Sequence, residues 1–178
     1  ASAAAYTIGS GAVGSQTLTL ETTGVTQLTS TAGNNQTINA NVLLGISAVA
    51  SSYTFTNSST TNTLTLAGAI SGNTGGTAAA KTVTISGAGN TIISGNITNG
   101  GATTVALTKR SAGTLTLSGA NSYTGATLIG AIGGNEGGTL LLSGSGKLGN
   151  SAVTLFEGTL NLNSTTQTIT SLSVGQGS

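Results

Sequence analysis

Two periodicities recur together along this chain, and together they constrain its fold more than any other feature. Short stretches alternate threonine with an aliphatic residue: Thr17–Leu20, Thr63–Leu66, Thr82–Ile85, Thr114–Leu117 and Thr159–Leu162, the last with Asn161 in a threonine position. A period of two places the aliphatic side chains on one face and the hydroxyls on the other, as in a strand, and the β-branched content favours strands. Pairs of threonines at or near such stretches also recur close to twenty residues apart. Thr17 to Thr37 is 20 residues, Thr63 to Thr82 is 19, Thr82 to Thr104 is 22 and Thr139 to Thr159 is 20. Between them lie Leu43–Val49, Thr91–Ile97, Ala126–Ile129 and Val153–Phe156, so each turn of the repeat holds two or three short strands joined by Gly, Ser and Asn.

A strand–turn–strand unit of this size cannot bury its apolar face alone, whereas stacking successive units in register does so. The expected fold is all-β, a right-handed parallel β-helix (β-solenoid) of about nine rungs of roughly twenty residues, some 40 Å tall at about 4.8 Å per rung. It forms one domain over residues 1–178. Helix is disfavoured, because Gly, Thr, Ser and Asn are poor helix residues that prefer turns. The stretches Gly72–Gly76, Gly95–Gly101, Gly130–Gly138 and Gly144–Gly149 read as corners or small loops. Asn90, Asn121 and Asn150 are candidates for stacked corner ladders. The competing fold is an antiparallel sandwich, which usually advertises hairpin dipeptides and large aromatic anchors; here Asn99–Gly100 is the one Asn-Gly pair and aromatics are 3% of the chain. Which threonines face outward at irregular rungs stays open, since a slip of one residue reverses the assignment.

Composition narrows the function. Gly contributes 29 residues, Thr 35, Ser 22 and Asn 15, more than half of the 178. Four cations face three anions, and Pro, Cys, His, Met, Trp and Asp are absent. Disorder calls for low hydrophobicity with high charge, and collagen for periodic Gly with abundant Pro; neither fits. No apolar run reaches the roughly 20 residues of a membrane-spanning helix, so no membrane insertion by this segment is expected. Nucleic acid is not an expected partner, because phosphate binding needs clustered cations and only Lys109 and Arg110 are adjacent. Thiol and imidazole nucleophiles, disulfides and ordinary zinc sites are closed; no cofactor, metal or catalytic residue is expected, and no binding residue is assigned. The chain starts at Ala1 without a basic segment or signal-type apolar core; Ala1–Ser2–Ala3 fits either the residues after a cleaved signal or a fragment boundary.

The run Leu107–Leu128, LTKRSAGTLTLSGANSYTGATL, resembles the autotransporter-associated β-strand repeat found in passenger regions of bacterial autotransporters and related giant surface proteins. The family pattern, roughly L-T-K-x-G-x-G-T-L-T-L-S-G-x-N-x-Y-T-G-x-T, is matched at Leu107, Thr108, Lys109, Gly113 through Gly119, Asn121, Tyr123, Thr124, Gly125 and Thr127. Ser111 departs from it where the family usually has Gly, which affects a turn rather than any chemistry. Gly138–Gly146 and Gly158–Leu172 resemble later rungs, and Gln36–Leu44, Tyr53–Asn57 and Gly87–Gly95 resemble earlier ones. The resemblance implies a parallel β-helix, secretion, and a place outside the cell or on the bacterial cell surface. It implies no single activity, because these repeats act mainly as stalk or scaffold.

Each remaining feature has a plain reading beside a functional one. Glu21, Glu136 and Glu157 lie in different parts of the chain, so solvated charge is expected rather than the carboxylate pair of a glycosidase. Calcium-binding β-rolls need repeated Asp, which is missing. Lys109 and Arg110 read as a solvated turn or a small anion contact, and Tyr123 as a corner filler or a sugar-stacking ring. The pairs Thr17/Thr19, Thr63/Thr65, Thr82/Thr84, Thr114/Thr116 and Thr168/Thr170 read as ordinary outward strand residues; aligned on one flat face, they would suit ordered water or ice. Sequons at Asn35, Asn57, Asn96 and Asn163 are expected by chance in so Asn- and Thr-rich a chain. Neither terminus shows a polar or helical cap. The chain therefore reads as a segment of a longer array or a filament-forming subunit, stacking through open ends on adjoining repeats or on other copies of itself. The expectation is a non-enzymatic extracellular stalk, fibre or adhesin segment; the alternative is a surface ligand-binding module for polysaccharide or ice.

Overall fold

Every strand pairing among the described residues is parallel, and each strand pairs with the equivalent strand one turn of chain away. The computed structural model describes residues 4–21, 33–45, 48–73, 78–131 and 137–175, with the backbone of 26–30. Three sheets result. The first holds β1 (Thr7–Ile8), β4 (Gln36–Ile38), β7 (Leu64–Leu66), β10 (Thr91–Ile93), β13 (Thr114–Leu117), β15 (Thr139–Leu142) and β17 (Thr159–Asn161), in that spatial order. The second holds β2 (Thr17–Leu20), β5 (Asn41–Leu44), β8 (Ile70–Gly72) and β11 (Ile97–Thr98). The third holds β3 (Thr26–Ser30), β6 (Ser51–Asn57), β9 (Lys81–Ser86), β12 (Val105–Lys109), β14 (Thr127–Ile129), β16 (Ala152–Leu155) and β18 (Ser171–Val174). The chain is a parallel β-helix.

The rung count differs from the expectation of nine. The first face stacks seven strands, and its register runs Thr7, Thr37, Thr65, Ile92, Thr116, Leu141, Asn161. Rungs are therefore 30, 28, 27, 24, 25 and 20 residues apart. Of the sequence spacings near twenty, Thr139 to Thr159 is a true rung, with both residues stacked on the first face. Thr17 lies on the second face and Thr37 on the first, while Thr63 precedes a first-face strand and Thr82 lies on the third. Period-two strands look alike on all three faces, so a spacing between faces passes for a repeat.

The helix also changes section along its length. The second sheet ends at β11. In the last three rungs a nine-residue link, 118–126, 143–151 or 162–170, carries the chain from the first face to the third. Across the first two of these links one isolated bridge forms, Ala120 to Lys147. Leu43–Val49 is likewise not one strand: β5 stops at Leu44.

Alternation builds the interior. Ile38, Leu66, Ile93, Leu117 and Leu142 form one inward column on the first face, and Tyr53, Val83, Leu107, Thr127 and Val153 one on the third. All of these are buried. Each fully buried aliphatic side chain contributes about 1.5–3 kcal/mol, so a modest apolar fraction suffices when the inward strand positions are filled by apolar residues in columns. Corner backbones approach closely: a Cβ on Gly119 would strike the carbonyl oxygen of Gly95 one rung below.

Candidate functional site

Several asparagine side chains at the corners hold rungs together. The side-chain carbonyl of Asn35 accepts the Thr63 backbone N–H at 2.9 Å, Asn41 that of Ala69 at 2.9 Å, Asn90 that of Thr114 at 3.1 Å and Asn96 that of Ala120 at 2.8 Å. Asn121, buried, accepts the Ile97 N–H at 2.8 Å and donates to the Lys147 carbonyl at 2.7 Å, clamping three rungs. Asn90 and Asn121 thus act at corners as expected, but through backbone groups of neighbouring rungs rather than through like side chains. Asn150 differs: it is exposed and makes no such bond. Of the sequon residues, Asn35 and Asn96 are committed in the same way, and Asn57 is buried, donating to the carbonyls of Asn62 and Asn90.

Lys109 corrects the expectation of a solvated turn. It ends β12 facing inward, between Ile85 and Ile129 in the third-face column, and is 2% exposed. Its Nζ donates to the carbonyls of Arg110 and Ser111, both at 2.6 Å, so the ammonium caps the turn that leads to β13. Burial pushes its pKa down to about 8, because the charged form loses its hydration. Arg110, by contrast, is exposed. Ser111 has φ 63°, a left-handed conformation that explains a preference for Gly at this place.

Tyr123 fills a corner. It is fully buried, and its hydroxyl shares a hydrogen bond of 2.8 Å with Thr127 Oγ1, which lies 3.2 Å from Ser151 Oγ. Its ring occupies the interior where the second sheet has ended, and it is unavailable to a sugar. Burial raises its phenol pKa.

The remaining candidates do not converge. Glu21 follows β2 in the first rung and Glu157 follows β16 in the sixth, while Glu136 lies outside the described residues. The threonine pairs fall on separate faces: Thr63/Thr65 and Thr114/Thr116 at the first, Thr17/Thr19 on the second, Thr82/Thr84 on the third, and Thr168/Thr170 in the link before β18. No single face carries all five, against the alignment an ice-ordering surface would need. Among the described residues no cluster of three or more His, Cys, Asp or Glu could hold a metal, and no helix is long and apolar enough to cross a membrane.

Two further lysines lie outside the motif recognised in the sequence. Lys81 opens β9 facing inward, is 2% exposed, and donates to the Val49 carbonyl at 3.1 Å; burial lowers its pKa, and Glu21 partly opposes that. Its orientation was legible, because Thr82 and Thr84 outward require Lys81 inward. Lys147 is exposed and lines a groove of about 340 Å³ across the links of the last three rungs, with Asn121, Ser122, Leu148, Asn150 and Thr166–Thr168. No sequence signal marks this groove, since it arises where the second sheet stops.

Residues 107–131 match the family described as passenger-associated-transport-repeat. That stretch runs from within β12 through β13 and β14, across the corner capped by Lys109 and the corner filled by Tyr123. No curated protein and no solved structure matches the chain.

Proposed function

We propose that this chain, built around one passenger-associated-transport-repeat, is a non-enzymatic structural segment of a bacterial surface protein, an autotransporter-type stalk, fibre or adhesin piece. The observation that carries the reading is the placement of the matched repeat in the middle of an unbroken parallel stack whose corner amides are consumed in bonds between rungs. Such a stack is rigid along its axis and offers repetitive faces rather than a reaction centre. Low charge supports it, because stacked rungs do not repel.

The terminal rungs fit the same role. Tyr6, Ile8 and Val13 are exposed at one end, and Leu162, Leu172 and Val174 at the other. β1 and β3 lie at one margin of their sheets, β17 and β18 at the other. Open edges with apolar side chains invite further strands, supplied by adjoining repeats or by other copies of the chain. Externally added antibody should label the segment on intact cells of the producing bacterium; labelling obtained only after the cells are broken open contradicts the proposal.

A further inference from the structure

We propose that the groove across the last three rungs is a binding site for an acidic saccharide, with Lys147 holding its carboxylate. The proposal goes beyond the structural role and does not depend on it. Its basis is a contrast in how corner side chains are used. Asn35, Asn41, Asn90, Asn96, Asn99 and Asn121 all accept backbone N–H groups. Around the groove, Asn150, Ser122, Thr166 and Thr168 are exposed and their side chains form no hydrogen bond among the described residues. The lysines divide in the same way. Lys81 and Lys109 bury their ammonium groups against carbonyls, whereas Lys147 is exposed at the groove wall and its ammonium has no partner among the described residues.

The groove is rigid where it needs to be. Gln167 accepts the Leu148 N–H at 2.8 Å, and Asn121 donates to the Lys147 carbonyl at 2.7 Å, so the lining backbone is fixed while the outward side chains are free. A volume of about 340 Å³ lies within the roughly 300–1,000 Å³ range of small-ligand clefts. Hydroxyls and a primary amide donate and accept at once, which matches a polyol. Its lining holds no aromatic ring to stack on a sugar face and no carboxylate to repel an anion. Orientation and specificity then fall to the single cation, which suits one carboxylate as a point charge.

The test is titration of the isotope-labelled full chain, followed by NMR, with a trimer of galacturonic acid and with the neutral galactose trimer as control. The acidic trimer should give saturable shifts at residues around Lys147, weakened by about 0.5 M salt through screening. Lys147→Gln should weaken binding about fivefold, the equivalent of the roughly 1 kcal/mol of an exposed ion pair. Thr168→Tyr, which narrows the groove from an exposed position, should abolish binding while leaving the melting temperature unchanged. Absence of saturable shifts, equal binding of the neutral trimer, an unaltered affinity in Lys147→Gln, or equally effective displacement by inorganic phosphate each overturns the proposal. None of these results bears on surface labelling of intact cells, so the two readings fail separately.

Discussion

At the scale of single residues, the corner between β12 and β13 shows how composition becomes chemistry. Lys109 is one of four cations in the chain, and it is folded inward to cap two turn carbonyls. Its pKa is lowered to about 8 by burial, against about 10.4 for a solvated lysine. Between those values the unfolded chain binds more protons than the folded one, so stability rises with pH across that window. Chemical denaturation from pH 7.5 to about 9, below the range where the raised phenol pKa of Tyr123 acts in the opposite direction, should show this rise. In Lys109→Met it should shrink, leaving the part that belongs to Lys81, whose pKa is also lowered; an identical rise in the variant would place the effect elsewhere. Ser111 pays for a left-handed φ of 63°. Ser111→Gly should gain about 0.5 kcal/mol, the relief of strain being partly offset by greater unfolded-state freedom and by loss of the contact with Ser86 Oγ. Ser111→Val should lose about 1–2 kcal/mol by the same argument, because a β-branched residue tolerates that region poorly. Urea denaturation of the pair checks both signs.

At the scale of elements, strands were legible in the sequence and their faces were not. Alternation located Thr17–Leu20, Thr82–Ile85 and Thr114–Leu117 as strands, and placed Leu115 and Leu117 inward with Thr114 and Thr116 outward. It carried no information about which of three faces a strand joins, because all three impose the same period. Corners were legible as Gly and Asn, but the bonds they make depend on which backbone lies one rung away. Asn121 illustrates the point: its motif position was recognisable, while its role as a clamp on Ile97 and Lys147 required the stack. Asn121→Ala should cost about 1–3 kcal/mol, since a buried N–H and a carbonyl lose their partner. Asn150→Ala, at an exposed amide without an intramolecular bond, should change stability by less than about 0.5 kcal/mol. Thermal unfolding of the two variants separates a clamp from a bystander.

At the scale of the whole molecule, the solenoid narrows toward its C-terminal rungs. Early rungs have three strands and spacings of 27–30 residues, and the last rung step is 20. The twenty-residue spacing seen in the sequence is a true step only at places in this later part, from Leu107 to Thr127 on the third face and from Thr139 to Thr159 on the first, with longer steps from Thr114 to Thr139 and from Thr127 to Val153. The groove that forms where the second sheet ends could not have been read from any local pattern. The central claim is that seven rungs stack in the register described, and it can be measured directly because the chain has no native cysteine. Thr37 and Leu141 face outward on the first sheet four rungs apart. Cysteines introduced at these two positions and spin-labelled should give a narrow distance distribution centred near 19 Å, four steps of about 4.8 Å. A broad distribution, or one centred at about 25 Å or beyond as a uniform twenty-residue rung would require, contradicts the account.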